Sequence, residues 1–409
     1  MFKYSFLLFY FIPLFINAQI LPTYYGVNFK KGTTPSSELA SLIFDGINDR
    51  VTTNLSMSNW SAFTFEAWVY PETTGNREGI VGHNDIIEFG FIDSNTIHLW
   101  TARGSSKNWD FNSSKLPFNT WHHIVGVGDG TANSNNLKIY VNGVLKAQGG
   151  SAPSGGHYGS SNYKINIGAG AYDPLNTSLT NKRVFDGNLD EIRIWNDART
   201  LEEIKSNMFK NLAGDEDNLQ LYYKMSANSG QSLTDNSSNS NVGSIEGGTS
   251  WGITNVPLGS LSSSYQTDME GLWEASGTAA SQDSDGLSMS VGVTLDEEDF
   301  AIFGNNNTDN TSTQDLPSGE SLEKRSAREW QVDETGTVIA TVIIDISDAT
   351  GNSVSPAAAT NYKLLFKSSA SGDFSVNATG ASISGDVITF SNVALQDGFY
   401  AIASTDSNL

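Results

Sequence analysis

Cysteine is absent from all 409 residues. Disulfides are therefore excluded, zinc has no thiolate to bind, and stability must come from core size or a bound metal. Histidine is scarce too, at five residues, and neither a clustered zinc set nor a Ser/His/Asp arrangement emerges from their spacing. Basic residues number 23 against 45 acidic ones, a net charge of −22. After Leu258 there are 5 basic and 22 acidic residues, leaving 18 and 23 before it, so the acidity sits mainly in the second half. Such a field repels phosphate polymers and argues against nucleic acid as a partner; its ordinary meaning is solubility. Past the first 18 residues no stretch approaches the ~20 apolar residues of a membrane-spanning helix, so a membrane-spanning chain is not expected.

What is present begins with an export signal. Lys3, an apolar run over residues 4–16 and Asn17-Ala18 before Gln19 form a charged start, a short apolar core and a small-residue cleavage position. Residues 1–18 are read as a signal peptide and 19–39 as a polar lead-in. From residue 40 onward, strand patterns separated by Gly, Asn, Asp and Ser clusters point to an all-β protein. The best strand is residues 63–70 (FTFEAWVY), with Phe63, Phe65, Ala67 and Val69 on one face and Pro71 as its stop. Residues 137–145 (LKIYVNGVL) form a hairpin signature, because Asn142-Gly143 accepts the positive φ angles of a type I′ turn. Residues 147–163 are Gly/Ser-rich and read as a long exposed loop. One helix is expected after Thr200, whose capping-box partner is Glu203, with Leu201, Ile204 and Met208 as its apolar stripe, lying across an edge of the sandwich. Residues 40–258 form one sandwich, 259–264 a linker, and 265–409 a second, acidic β sandwich.

Several motifs recur in a characteristic order: residues 44–51 (FDGINDRV), the strand ending at Pro71, 121–125 (WHHIV), 140–144 (YVNGV), 185–195 (FDGNLDEIRIW) and the helix at Thr200. Together they resemble the laminin-G-like domains of secreted bacterial proteins, within the concanavalin A-like lectin and glucanase superfamily that also includes pentraxins. The resemblance covers residues 40–255. It implies an antiparallel jelly roll of two sheets, one concave, with ligands met on the concave face or at the rim loops. It also implies a calcium ion near the first and last strands, at Asp45 and Asp190, with Asn48 and Asp49 completing the shell. A hard cation wants carboxylate and carbonyl oxygens, and both motifs are sharp turns exposing carbonyls. The alternative is that Asp45 caps its own turn and that Asp190 pairs with Arg193 or Arg50.

Some members of that superfamily hydrolyse glycosides, which takes two carboxyls about 5–10 Å apart flanking the scissile bond. The glucanase signature Glu-x-Asp-x-x-Glu is absent. Glu66 stands alone in its strand, Asp85 and Glu88 have the wrong phase for one face, and Asp190 and Glu191, as neighbours on a strand, are expected to point oppositely. Sugar binding needs flat aromatic faces beside polar groups. His98 and Trp100, with Trp109 across the polar stretch 101–108, are the best placed candidates, joined by Tyr158 and Tyr172 from loops.

In the second half, residues 316–336, with Arg325, Arg328 and Trp330, look like a β-rich module of large Bacteroidota surface proteins that implies no activity; Arg328 and Trp330 are expected to pack and pair in its core. Asp283-Ser-Asp285-Gly286 reads as a hairpin turn, because an EF-hand register would put Gly292 where a bidentate Glu belongs. Residues 305–312 read as a polar loop that nothing orders. Such proteins commonly carry a C-terminal sorting domain; the sequence ends at Asn408-Leu409 without one, which fits either truncation or another export route. The expectation is a secreted or cell-surface, non-catalytic protein that binds a glycan or an extracellular protein surface. A structural or assembly module without a small ligand is the alternative, and a glycoside hydrolase a weaker one.

Overall fold

A computed structural model describes residues 40–409 except 76, 171–183, 227–228, 253, 255, 274–279, 293–294 and 297–298. The fold is all-β, and its first sandwich runs β1 (Ser41–Asp45), β2 (Arg50–Thr52), β3 (Ala62–Pro71), β4 (Glu78–His83), β5 (Ile87–Asp93) and β6 (Thr96–Thr101). It continues with β7 (Ser106–Asp110), β8 (His122–Asp129), β9 (Leu137–Val141), β10 (Val144–Gly149), β11 (Ile165–Ile167) and β12 (Asp186–Trp195). After helix α1 (Leu201–Met208) come β13 (Leu219–Tyr223), β14 (Ser232–Leu233), β15 (Gly243–Glu246) and β16 (Ser250–Gly252). One sheet has the order β10-β9-β8-β3-β12-β1-β16, with β13 also on β12; the other is β14-β15-β2-β11-β4-β5-β6-β7.

Period-two alternation sets the packing. Phe63, Phe65, Ala67 and Val69 of β3 enter the core between the sheets, as expected, and meet Phe89, Phe91, Ile97 and Leu99 from the opposite sheet. The hairpin at Asn142 (φ 51°) and Gly143 (φ 69°) forms as the dipeptide demands. Thr200 caps α1 with the reciprocal Glu203 bond of a capping box. The helix does not lie at an edge, however. Ile204 packs on Val125, Val127 and Tyr140 of β8 and β9, so α1 covers the outer face of the first sheet. Leu201 is exposed and takes no part in that contact.

The outer face of β3 is therefore buried as well. Its Glu66 accepts from Trp195 Nε1 at 2.8 Å and lies 3.3 Å from His123 Nε2. Arg193, fully buried, donates to the carbonyls of Asn207 (2.9 Å) and Lys210 (2.6 Å) at the end of α1, and to Glu191 Oε2 at 2.6 Å. Asn207 O also accepts the Lys210 amide at 3.1 Å, so the guanidinium braces the turn that ends the helix and neutralises a buried acid. A β-bulge opposite Ala67, with Glu191 at φ 48°, turns Glu191 towards Arg193 and the Tyr222 hydroxyl. The expected opposition of Asp190 and Glu191 fails here: both are spent within the layer beneath α1, at 2% and 1% exposure.

The second sandwich pairs Thr267–Leu272, Phe300–Asn305, Trp330–Thr335, Gly398–Ser404, Lys324–Ser326 and Thr311–Ser312 in one sheet, with Tyr362–Lys367 and Ser375–Thr379 attached. The facing sheet is Leu287–Ser290, Ile339–Asp345, Val387–Ala394 and Ser382–Ser384. Trp330, buried, donates to Ser284 O at 2.7 Å, and Arg328 pairs with Asp285 at 2.7 Å, both as expected. The turn at Asp285-Gly286 is a hairpin, also as expected. Residues 305–312 are not slack: Asn305 is buried against Asp285 and Arg328, and Asn306 Oδ1 accepts the Glu329 amide. Nor is the stretch at 259–264 a free tether. Gly259 N–H donates to Phe209 O, Ser260 N–H to Asp333 and Ser262 N–H to Gln331.

The two sandwiches meet through Trp68, Trp121, Met208 and Phe209 on one side and Leu261, Met269, Phe300 and Ile302 on the other. Trp273 Nε1 donates to Trp121 O at 3.0 Å, and Lys205 of α1 pairs with Asp268 at 2.7 Å and with Glu270. Replacing Arg193 by Ala leaves Glu191 buried without its cation and removes the brace on the turn after α1. The variant should lose about 3–5 kcal/mol in urea denaturation, and a loss below about 1 kcal/mol would contradict this account.

Candidate functional site

The outer face of the second sheet has no helix or module packed on it among the described residues. Register decides which side chains it presents. Glu88 of β5 stands opposite Trp100 of β6, which stands opposite Ser106 of β7; Gly90, His98 and Asn108 form the next row. Directly paired residues share a face, so these six look outward while Phe89, Phe91, Ile97 and Leu99 look into the core. His98 Nδ1 and Asn108 Oδ1 are 2.6 Å apart, and Arg77 pairs with Glu88. Trp100 is half-exposed. It shares this face with Glu88, His98 and Asn108.

Beside this row the floor is backbone. A Cβ on Gly82 would lie 2.0 Å from Gly170 O, and one on Gly79 would lie 1.9 Å from Gly170 N. The chain crosses the sheet there, and only glycine admits the crossing. A small hollow results, lined by Arg77, Glu88, Gly90, Ile92, His98 and Gly170. Glu78 reaches its edge from a different direction. It is in register with core-facing Phe91, and burial together with the charge of Asp186 raises its carboxyl to about 7. Glu78 and Glu88 therefore do not confront one another across the outer face.

The aromatic candidates separate. Trp109 is opposite core-side Ile97 and packs against the core, 5.7 Å from Phe111, with Lys146 of β10 5.8 Å from its ring centre. It does not share a face with Trp100. Tyr158, read as an exposed loop residue, is wholly buried: its ring meets Phe63 edge-on at 4.8 Å, and its N–H donates to Trp60 O. The loop is pinned inward because that ring completes the core. Tyr172 lies outside the described residues.

The expected calcium ligands separate as well. Leu42 is opposite Leu189, which places Asp190 four residues from Asp45 along the pairing, roughly 14 Å at strand spacing. Asp190 is 2% exposed and its Oδ1 accepts the Glu191 amide. Burial and then the charge of Glu191 push its carboxyl well above the usual range. Asp45 is exposed and its Oδ1 accepts the Ile47 amide, the turn-capping alternative. Asp49 joins it, accepting the Asp45 amide at 2.9 Å through Oδ2, while its Oδ1 is buried without a hydrogen bond. Asn48 is half-buried in the same turn. Among the described residues no three His, Cys, Asp or Glu side chains form a metal-binding group. No described helix is long and apolar enough to cross a membrane.

Arg77 and Asn108 were not singled out by sequence reasoning, and Glu88 was weighed there only as a catalytic partner of Asp85. Their signal was the alternation in β5 to β7, legible only once the strand register is known.

Residues 45–205 match the family model described as the concanavalin A-like lectin/glucanases superfamily, so the expected laminin-G-like identity of the first sandwich holds. Residues 261–399 match a domain of unknown function, DUF8202. No curated protein matches the chain in sequence. Among solved structures, a "putative carbohydrate binding protein" from Bacteroides ovatus is similar at 21% identity and TM-score 0.44, over 54% of this chain and 61% of that one. The heptameric SAP-like pentraxin of Limulus polyphemus is similar at 13% identity and TM-score 0.32, over 53% and 96%. Mouse laminin alpha1 domains LG4-5 are similar at 12% identity and TM-score 0.33, over 96% and 95%.

Glu78 gives this rim a pH signature. The folded protein keeps its proton up to about pH 7, whereas the unfolded chain releases it near 4.5. Stability from this group is thus full below 4.5 and is lost as pH rises through 7. Glu78→Gln should exceed the wild type in stability at pH 8 by roughly 1–2 kcal/mol after solvent screening, with the difference vanishing near pH 4. Equal denaturant midpoints at pH 8 would contradict it.

Proposed function

We propose that this is a secreted or cell-surface, non-catalytic carbohydrate-binding protein that engages sugar on the outer face of β5 to β7. The supporting observation is the half-exposed Trp100 ring in a row with Glu88 and Ser106, beside the Arg77–Glu88 and His98–Asn108 pairs. A pyranose ring offers an apolar face for stacking and equatorial hydroxyls for these donors and acceptors. Non-catalysis is part of the reading because the described carboxyls supply no free facing pair: Glu88 is held by Arg77, Glu78 meets the hollow only at its edge from a core-facing register, and Glu66, Asp190 and Glu191 are buried. A glycan array should give ligands for the wild type, and Trp100→Ala should weaken them about tenfold or more, near 1.4 kcal/mol, without changing the melting temperature. An array blank for the wild type would replace this reading with the structural or assembly one.

Calcium enters only at the turn of Asp45, Asn48 and Asp49, where Asp49 Oδ1 is buried and unsatisfied. A bound ion would accept that oxygen and brace the start of β2. Millimolar calcium should raise the melting temperature by a few degrees in the wild type and not in Asp49→Asn. An unchanged wild-type melt removes the metal.

A further inference from the structure

A second concavity lies away from that face, where the two sandwiches join. It encloses about 220 Å³ and is walled by Lys115, Val144 and Lys146 of the first sandwich, Phe209 after α1, and Trp273 and Gln282 of the second. Junctions between modules are a preferred place for ligand sites. Its charge is anomalous for a chain of net −22.

Burial, and then the nearby charge of Lys115, lower the Lys146 ammonium below its ordinary value. Neither takes part in an ion pair or side-chain hydrogen bond among the described residues. The other lysine at the junction, Lys205, is spent on Asp268 and Glu270. Glu270 also reaches the cleft, but it is paired with Lys205, and burial raises its carboxyl to about 7. Among the described residues the cleft thus presents two cations without an ion pair and no free anion. Lys107 adds a third cation along the same edge, its side chain packed at Gly149.

The remaining walls are suited to a ring. Trp273 is fixed by its bond to Trp121 O and by edge contacts to Trp68 (5.6 Å) and Phe209 (5.8 Å). Gln282 is held through Nε2 to Asn142 O at 3.0 Å, which leaves its amide oxygen to accept a hydroxyl. We infer that this cleft is a binding site for an acidic sugar residue, one whose ring carries a carboxylate or sulfate ester, with Lys115 and Lys146 on the anion and Trp273 against the ring. The protein's overall field repels long polyanions, so the ligand is a single acidic residue or the end of a short chain.

The test uses the full chain in calorimetric titrations with three trisaccharides of equal length: one of galacturonate, one of sulfated galactose, one of neutral galactose. At least one acidic trisaccharide should bind tenfold or more tightly than the neutral one, and which of the two does so identifies the anion. Lys115→Gln/Lys146→Gln should erase that preference. Lys164→Gln/Lys324→Gln, which removes two charges elsewhere, should change affinity less than twofold, and both variants should melt as the wild type does. The inference is overturned if neither acidic sugar is preferred, if the cleft variant retains the preference, or if the control loses as much. If Trp100→Ala abolishes acidic binding while the cleft variant retains it, the ligand sits on β5 to β7: the cleft fails and the proposed function stands.

Discussion

A single buried guanidinium holds the architecture in register. Arg193 reaches through the outer layer of the first sheet to the end of α1, and the same group answers Glu191 and approaches Glu66 at 3.8 Å. A buried cation of this kind adds little net stability over a well-packed apolar substitute, because desolvation consumes most of its Coulombic gain. It does specify geometry, since a guanidinium fork accepts few arrangements of carbonyls and carboxylates. With α1 fixed on β3 and β12, Lys205, Met208 and Phe209 are fixed too, and these are the residues on which the second sandwich sits.

From that docking follows the inequality of the two outer faces. The first sheet is covered by the helix and then by the second module, so its carboxylates, histidines and tryptophans became interior chemistry. Among the described residues no helix or module covers the second sheet, and Trp100 stands there in a row of polar side chains. A jelly roll alone would leave both faces candidates; the second module removes one. It also creates a cleft at the seam that neither module possesses alone.

Local features were legible in the sequence because their causes are local. Asn142-Gly143 can hardly do anything but turn, Thr200 and Glu203 cap a helix by their own spacing, and alternate apolar residues of β3 select the core. The near-continuous apolar run FTFEAWVYP also carried a message that alternation obscures, since a strand with Trp68 and Tyr70 on its second face is buried on both sides. What could not be read depended on pairing between distant segments. The bulge at Glu191 reversed a phase argument that was sound for a regular strand. Trp100 and Trp109 seemed to flank one loop and instead take opposite faces. Asp45 and Asp190 belong to adjacent strands but not to the same level of them. Lys115, Lys146, Trp273 and Gln282 converge only after two modules have docked.

The absence of cysteine explains why polar side chains do so much joining. Asp235 accepts from Tyr222 N, Ser237 N and Oγ, and Asn241 N at 2.6–2.9 Å, tying the closing segment to β13. In the second sandwich Glu329 draws together Arg325 at 2.9 Å, Lys367 and the Tyr265 hydroxyl, which come from three separate stretches of chain. Each does the topological work of a disulfide, but with a difference in kind. A disulfide acts chiefly on the unfolded chain, whereas these staples exist only once the fold is complete and their carboxylates are ionised. They therefore reinforce cooperativity across segments, and through Lys205 across modules, instead of bracing any segment by itself. A chain built this way holds the outer face of the second sheet and the seam between the modules at one fixed spacing.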